Sequence, residues 1–218
     1  MLHARNAIRA QEAVEKVPDA EKILIADLSS IEETKQLAHE VNALGRFDAV
    51  IHNAGVYQAS SKMIFAVNTL APYLLTCLIQ KPKRLIYVSS GMHMHGDPTF
   101  KNFSLEQNGI SYSDSKLHVV VLAKAVARLW PDVYSNAIDP GWVPTKMGGA
   151  GAPDNLDKGV ETQTWLAVSN DVQAKVSGHY LYHQREARYR KEADDSVVQD
   201  KFLTLSQQIT GVSFPTSA

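Results

Sequence analysis

Tyr112 and Lys116 stand four residues apart, about twenty residues after an apolar stretch that closes in Val88-Ser89-Ser90. On a helix covering residues 112–130 that spacing stacks the two side chains one turn apart on one face. Tyrosine titrates near 10 and exchanges protons poorly at neutral pH, but an ammonium within ~4–6 Å favours phenolate and lowers that value by roughly 1–3 units. The spacing therefore predicts an acidic phenol, usable as a general acid and base. A serine hydroxyl at the carboxyl end of a neighbouring strand would hold a carbonyl or alcohol oxygen against it. Taken alone, the pair also matches a surface lysine beside a half-buried tyrosine, so its meaning depends on the elements that position it.

Four short runs read as strands: Lys22–Ala26, Asp48–His52, Arg84–Ser89 and Val133–Ile138. Most are almost continuously apolar, the pattern of parallel strands buried on both faces. Between them Ile8–Val17, Ile31–Leu44, Lys62–Gln80 and Ser113–Trp130 carry helical spacing, as in Leu117, Val121, Ala125 and Leu129. The alternation predicts a doubly wound α/β sheet in a single domain spanning residues 1–218. Ligands of such sheets bind where loops leave the carboxyl ends of the strands. There the chain places Asp27-Leu28, Asn53-Ala54-Gly55, Ser89-Ser90 and Asp139-Pro140-Gly141. Singly, Asp27 reads equally as a helix cap, and the Asn-Ala-Gly and Pro-Gly pieces as ordinary turns.

With 22 basic and 23 acidic residues the net charge is −1, and no basic run or acidic tail points to nucleic acid or an anionic membrane surface. The single cysteine, Cys77, lies in an apolar stretch and reads as a structural thiol in a reducing, cytoplasmic setting. No run of eighteen consecutive apolar residues and no signal-peptide core is present, so neither a membrane nor a secreted location is expected. His93, His95 and His118 do not match a zinc-ligand spacing and read as substrate-loop or surface residues, so no metal is expected.

The ordered series Asp27-Leu28, Asn53-Ala54-Gly55, Asn68 within a helix, Val88-Ser89-Ser90, Tyr112-x-x-x-Lys116 and Pro140-Gly141-x-x-x-Thr145 resembles the short-chain dehydrogenase/reductase family over about residues 1–185. The Gly91-Met92-His93 continuation and the stretch Asp139–Gly149 look most like its retinol-dehydrogenase and ketoreductase branch. The resemblance implies a Rossmann-like sheet and an oxidoreductase passing hydride between a nicotinamide and a small carbonyl or alcohol substrate. By that likeness Tyr112 is the proton donor and acceptor, and Lys116 lowers its pKa and bridges the nicotinamide ribose. Ser90 rather than Ser89 orients the substrate, and Asn68 holds a water that links Lys116 to solvent. Asp27 and Leu28 would lie at the adenine, Asn53, Ala54 and Gly55 beside the adenosine ribose, and Pro140, Gly141, Val143 and Thr145 at the carboxamide. The glycine-rich run from Met147 to Pro153 would be a substrate lid. Dimers or tetramers formed through the helices of Asn68 and Tyr112 are also implied.

Leu2–Asn6 resembles the family's second strand and the turn that recognises the adenosine ribose. Its charged group is Arg5, suited to a 2′-phosphate, so NADP(H) is expected ahead of NAD(H). The family's first strand and T-G-x-x-x-G-x-G turn have no counterpart in these 218 residues. Such a turn gives backbone N–H groups to the cofactor pyrophosphate. Charge-assisted bonds contribute about 1.5–3 kcal/mol each, and ~3 kcal/mol weakens binding about a hundredfold. The expectation is an enzyme whose sheet has two exposed edges and whose cofactor is weakly held; the competing expectation is a scaffold that acts by protein association.

Overall fold

The computed structural model describes residues 1–106 and 109–216. The chain runs β1 (Leu2–Ala4), α1 (Ala7–Lys16), β2 (Ile23–Ile25), α2 (Ile31–Ala43) and β3 (Ala49–His52), as the alternation predicts. Next come α3 (Ser61–Phe65), α4 (Ala71–Leu78), β4 (Arg84–Val88), α5 (Tyr112–Leu129) and β5 (Tyr134–Asp139). The chain continues through α6 (Leu156–Val168), β6 (Tyr180–Tyr182), β7 (Arg185–Glu186) and α7 (Ser196–Thr210). The stretch Ser196–Ile209 is helix-like in sequence and α7 covers it, whereas α6, β6 and β7 carry no such signal, the two strands being only three and two residues long.

Five strands form one sheet in the order β3-β4-β5-β6-β7, parallel except for the β6–β7 pair. Successive residues of a strand face opposite ways, and here both faces are covered. Leu85, Tyr87 and Ala137 pack with α5 and α7, while Ile86, Val88 and Ile138 pack with Leu166 of α6. That two-sided burial is why the strands read as unbroken apolar runs.

Among the described residues β1 and β2 pair only with each other, in parallel, as a separate two-stranded sheet. Their unit is held through α2, whose Leu37 and Val41 pack with Val67 and Ala71. The Asn42 side chain adds a clamp, donating to the Leu78 carbonyl at 2.8 Å and accepting from the Gln80 N–H at 2.8 Å. Between β1 and β3 lies a cavity of about 680 Å³ lined by residues of both strands. The edges of β1 and β3 that pair with no strand among the described residues both line this cavity.

The helix expected over Lys62–Gln80 is interrupted. α3 and α4 are joined by a π-helical turn, Ala66–Leu70, in which the Ala71 N–H reaches back to Ala66. Pro72 explains the break: it has no N–H to donate to the Asn68 carbonyl four residues earlier, and its ring crowds that carbonyl. Such single wide turns recur at functional sites. The stretch Ser61–Leu78 is apolar and long enough to cross a membrane, but two thirds of it, 67%, is buried within the protein as a core helix.

Candidate active site

α5 begins with a reciprocal cap. Ser111 Oγ accepts from the Asp114 N–H at 3.1 Å, and Asp114 Oδ2 accepts from the Ser111 N–H at 2.8 Å. Asp114 Oδ1 also accepts from the Asp97 N–H at 2.7 Å, which ties the loop after β4 to the start of α5. Tyr112 and Lys116 thus enter the fold on a fixed first turn. The Lys116 side chain runs inward, 4% exposed, and its Nζ donates to the Val88 carbonyl at 2.9 Å. The two adjacent serines separate by strand alternation. Ser89 is buried and donates to the Lys116 carbonyl at 2.8 Å, whereas Ser90 is left on the open side, capping a short 3₁₀ turn through the Met92 N–H at 3.3 Å.

Asn68 sits in the π turn, 2% exposed. Its Oδ1 accepts from the Val56 N–H at 2.8 Å, and its Nδ2 donates to the Val56 carbonyl at 2.8 Å and to Ser115 Oγ at 3.0 Å. The side chain expected to hold a water therefore clips the loop after Gly55 onto α5. Gly55 closes the circle: a Cβ there would stand 3.4 Å from Asn68 Oδ1 and 3.5 Å from Lys116 Nζ. Ser90, Tyr112, Lys116 and Asn68 are thus gathered at the carboxyl ends of β3 and β4.

No family model matches the chain. An uncharacterized oxidoreductase of Emericella nidulans is 43% identical over 99% of this chain and 88% of its own length. The short-chain dehydrogenase chyC of Penicillium rubens is 38% identical over 98% and 88%. The chain belongs to the short-chain dehydrogenase/reductase family, a family of oxidoreductases. Two solved structures share the fold: the NADPH-bound carbonyl reductase from chicken fatty liver, with TM-score 0.64 at 20% identity over 87% of this chain and 86% of that one, and the carbonyl reductase Sniffer of D. melanogaster, with TM-score 0.62 at 18% identity over 84% of each.

Within this short-chain dehydrogenase/reductase the expectation of an acidic phenol is overturned. The Tyr112 hydroxyl is pushed up to about 12, first by burial; a bond to the Ser90 hydroxyl opposes that, and the nearby Asp139 carboxyl adds to it. Lys116 is not among the groups that shift it: the ammonium donates to the Val88 carbonyl and lies 5.4 Å from the centre of the phenol ring. Burial in turn brings Lys116 down to about 8, a shift that the charge of Asp139 opposes.

The residues expected around the cofactor fall into two groups. Arg5, Asp27, Leu28, Asn53, Ala54 and Gly55 all line the 680 Å³ cavity. Asp27 accepts from the Ser29 N–H at 2.9 Å and the Ser29 hydroxyl at 2.8 Å, which holds its carboxyl below the usual range with Arg5 and His3 adding to the effect. The cap of α2 is Ser30, not Asp27. Pro140, Gly141, Val143 and Thr145 lie in the loop after β5, outside that cavity. Gly141 adopts φ +77°, and a Cβ there would meet Asp154 Oδ2 at 2.6 Å. The Val143 carbonyl accepts from the Thr145 N–H at 2.8 Å, and the Thr145 hydroxyl accepts from the Gly148 N–H at 3.1 Å.

Of three neighbours of the phenol, Met147 belongs to the expected lid run and Asp139 to the strand-end residues, while Tyr57 carried no signal in the sequence. Tyr57 meets the Tyr112 ring edge-on at 4.7 Å. Met147, in the glycine-rich loop, brings its sulfur to 3.9 Å from the Tyr112 hydroxyl. Asp139 acts on it by charge. Of the histidines expected in the substrate loop or at the surface, His93 and His95 lie in the turn after β4 and His95 is exposed, but His93 and His118 are buried: His93 bonds the Ser90 carbonyl at 2.7 Å, and His118 bonds the Thr69 hydroxyl at 3.0 Å within a cluster of phenylalanines. Among the described residues no group of three or more His, Cys, Asp or Glu could hold a metal. Trp142 is 60% exposed, its indole N–H donating to the Gly148 carbonyl at 2.8 Å. Burial pushes the Cys77 thiol up to about 12, which leaves it inert.

Proposed function

We propose that this chain reduces neutral carbonyl compounds with NADPH, with alcohol oxidation as the reverse reaction. The observation that carries the reading is the convergence of Ser90, Tyr112 and Lys116, braced by Asn68, at the strand ends. A phenol near 12 keeps its proton at neutral pH. That state suits the donor in reduction better than the base in oxidation.

The residues around the cavity fit the adenosine end of NADP(H): Arg5 supplies a cation for a 2′-phosphate, Asp27 a fixed carboxylate, and Asn53-Ala54-Gly55 a close-approach turn leading to Lys116. Val143 and Thr145 would face the carboxamide. When bound, the cofactor supplies the hydride. The Ser90 hydroxyl holds the carbonyl oxygen, and Tyr112 Oη gives its proton to that oxygen as negative charge develops there. Lys116, bonded to the Val88 carbonyl and 5.4 Å from the centre of the phenol ring, would hold the ribose hydroxyls of the bound cofactor. Met147 has to move off the Tyr112 hydroxyl for a substrate to stand there, a task suited to the loop that contains Gly148, Gly149 and Gly151. The setting we propose is cytoplasmic, as a dimer or tetramer.

The test is NADPH consumption by the 218-residue chain on a panel of ketones, quinones and aldehydes. Turnover that disappears in Tyr112→Phe supports the enzyme. Absence of cofactor binding at millimolar concentration supports the scaffold reading instead.

A further inference from the structure

The sheet lets go of the chain just before the serine of the site. The β4–β5 ladder closes with the Ser89 N–H donating to the Ile138 carbonyl at 2.7 Å, and Ser90 lies one residue beyond it. There His93 takes over. The Ser90 carbonyl accepts from the His93 N–H at 3.0 Å and from His93 Nδ1 at 2.7 Å. On the other side of the ring, Nε2 accepts from the Arg190 N–H at 3.3 Å, and the Arg190 guanidinium donates to the Met94 carbonyl at 3.0 Å. Tyr180 of β6 packs against the imidazole with ring centres 4.5 Å apart, and His93 is 0% exposed. A carbonyl only accepts and a backbone N–H only donates, so the two partners fix a neutral imidazole with its proton on Nδ1. Burial favours that neutral form and Arg190 adds to it, against the Ser90 bond and the charge of Asp139.

We propose that His93 is a positioning residue for Ser90: its imidazole clasps the serine carbonyl to the segment at Arg190 and so aims the Ser90 hydroxyl at the substrate oxygen. The proposal rests on the reaction proposed above. With both nitrogens engaged and the ring closed off from solvent, His93 has no proton to exchange with a substrate. It acts through the turn. The Ser90 hydroxyl accepts from the Met92 N–H at 3.3 Å in that same turn, so a turn that slackens carries the hydroxyl with it.

Two amides divide the two bonds of the ring. In His93→Asn the amide stands near the Nδ1 position and can donate to Ser90; in His93→Gln it reaches toward Nε2 and can keep Arg190 but not Ser90. The experiment is steady-state ketone reduction by both variants and by His93→Ala, each also made in a Ser90→Ala background. His93→Ala and His93→Gln should lose about 10–100-fold in kcat with the KM for NADPH unchanged, and His93→Asn should recover most of it. With Ser90→Ala present the same substitutions should change kcat by less than about threefold, since no hydroxyl is left to aim. A general loosening of the fold would lower both backgrounds alike. If His93→Ala does not fold, His93→Gln, which fills a similar space, carries the comparison. Full kcat in folded His93→Gln, a loss in His93→Asn as deep as in His93→Gln, or an equal fall with Ser90 absent overturns the proposal. The ring 15N spectrum of the free protein should place the His93 proton on Nδ1; a proton on Nε2 overturns it as well. Should the unaltered chain reduce no ketone, the 13C shift of the Ser90 carbonyl, read through the Gly91 N–H, decides. Moved by His93→Gln and kept by His93→Asn, it upholds the clasp and refutes the reaction; unmoved by both, it overturns the clasp.

Discussion

α5 buries twelve successive residues, Ser115 through Val126, whereas α1 buries none and leaves Ile8 73% exposed. The two helices mark the two halves of the site. The half built on β4, β5 and α5 fixes the groups that would move a proton, each clasped by several neighbours. The half built on β1, α1 and β2 would hold the adenosine, and it joins the rest through α2, the Asn42 clamp and one ion pair from Lys146 of the glycine-rich loop to Glu12 of α1 at 2.7 Å. On the function proposed above, chemistry would depend on the closed core and cofactor retention on the unit beside the cavity.

Mutations in the closed half are expected to have the largest effects. Tyr112→Phe should lower kcat about 10²–10⁴-fold with cofactor affinity and thermal midpoint nearly unchanged, because only the transferable proton is lost. Equal rates in both proteins would break the assignment. Ser90→Ala should cost about 10²-fold in kcat by removing a donor to the developing oxyanion, as steady-state kinetics would show. On the open side, Arg5→Ala should weaken NADPH by about tenfold and leave NADH unchanged, as measured by fluorescence titration; NADH affected equally would remove the 2′-phosphate role. Asn42→Ala should destabilise by about 0.5–1.5 kcal/mol in urea unfolding, since it removes the part-buried bond to the Leu78 carbonyl and the exposed one from the Gln80 N–H. Hydrogen exchange should show β1 and β2 amides opening before those of β4 and β5.

Acid should act on the core through buried histidines. Burial brings His52 and His118 each down to about 4, against an ordinary value of 6.5. Below 6.5 the unfolded chain takes up protons that the folded chain refuses, so stability falls from about pH 6.5 toward pH 4 and is unaffected by these groups above that range. Urea midpoints measured across that interval check the sign.

The parallel strands were legible in the sequence because burial on both faces leaves a continuous apolar signature, whereas the choice of Ser90 over Ser89 came from the family resemblance and not from the residues themselves. The pairing of Tyr112 with Lys116 was legible as spacing but not as electrostatics. Spacing places two side chains on one face; it does not say that the Val88 carbonyl captures the ammonium or that burial outweighs its charge. The π turn did leave a trace, Pro72 four residues after Asn68. β6 and β7 are too short to carry a periodicity, and Tyr57 and Met147 reach the phenol from loops whose course depends on tertiary packing.

The most direct test is the single-turnover rate of NADPH oxidation, with a neutral ketone in excess, as a function of NADPH concentration. A closed catalytic half beside an open cofactor half predicts a rate that reaches a plateau only near millimolar NADPH, with the plateau abolished by Tyr112→Phe. A plateau that survives Tyr112→Phe, or no saturable rate at any cofactor concentration, would contradict it.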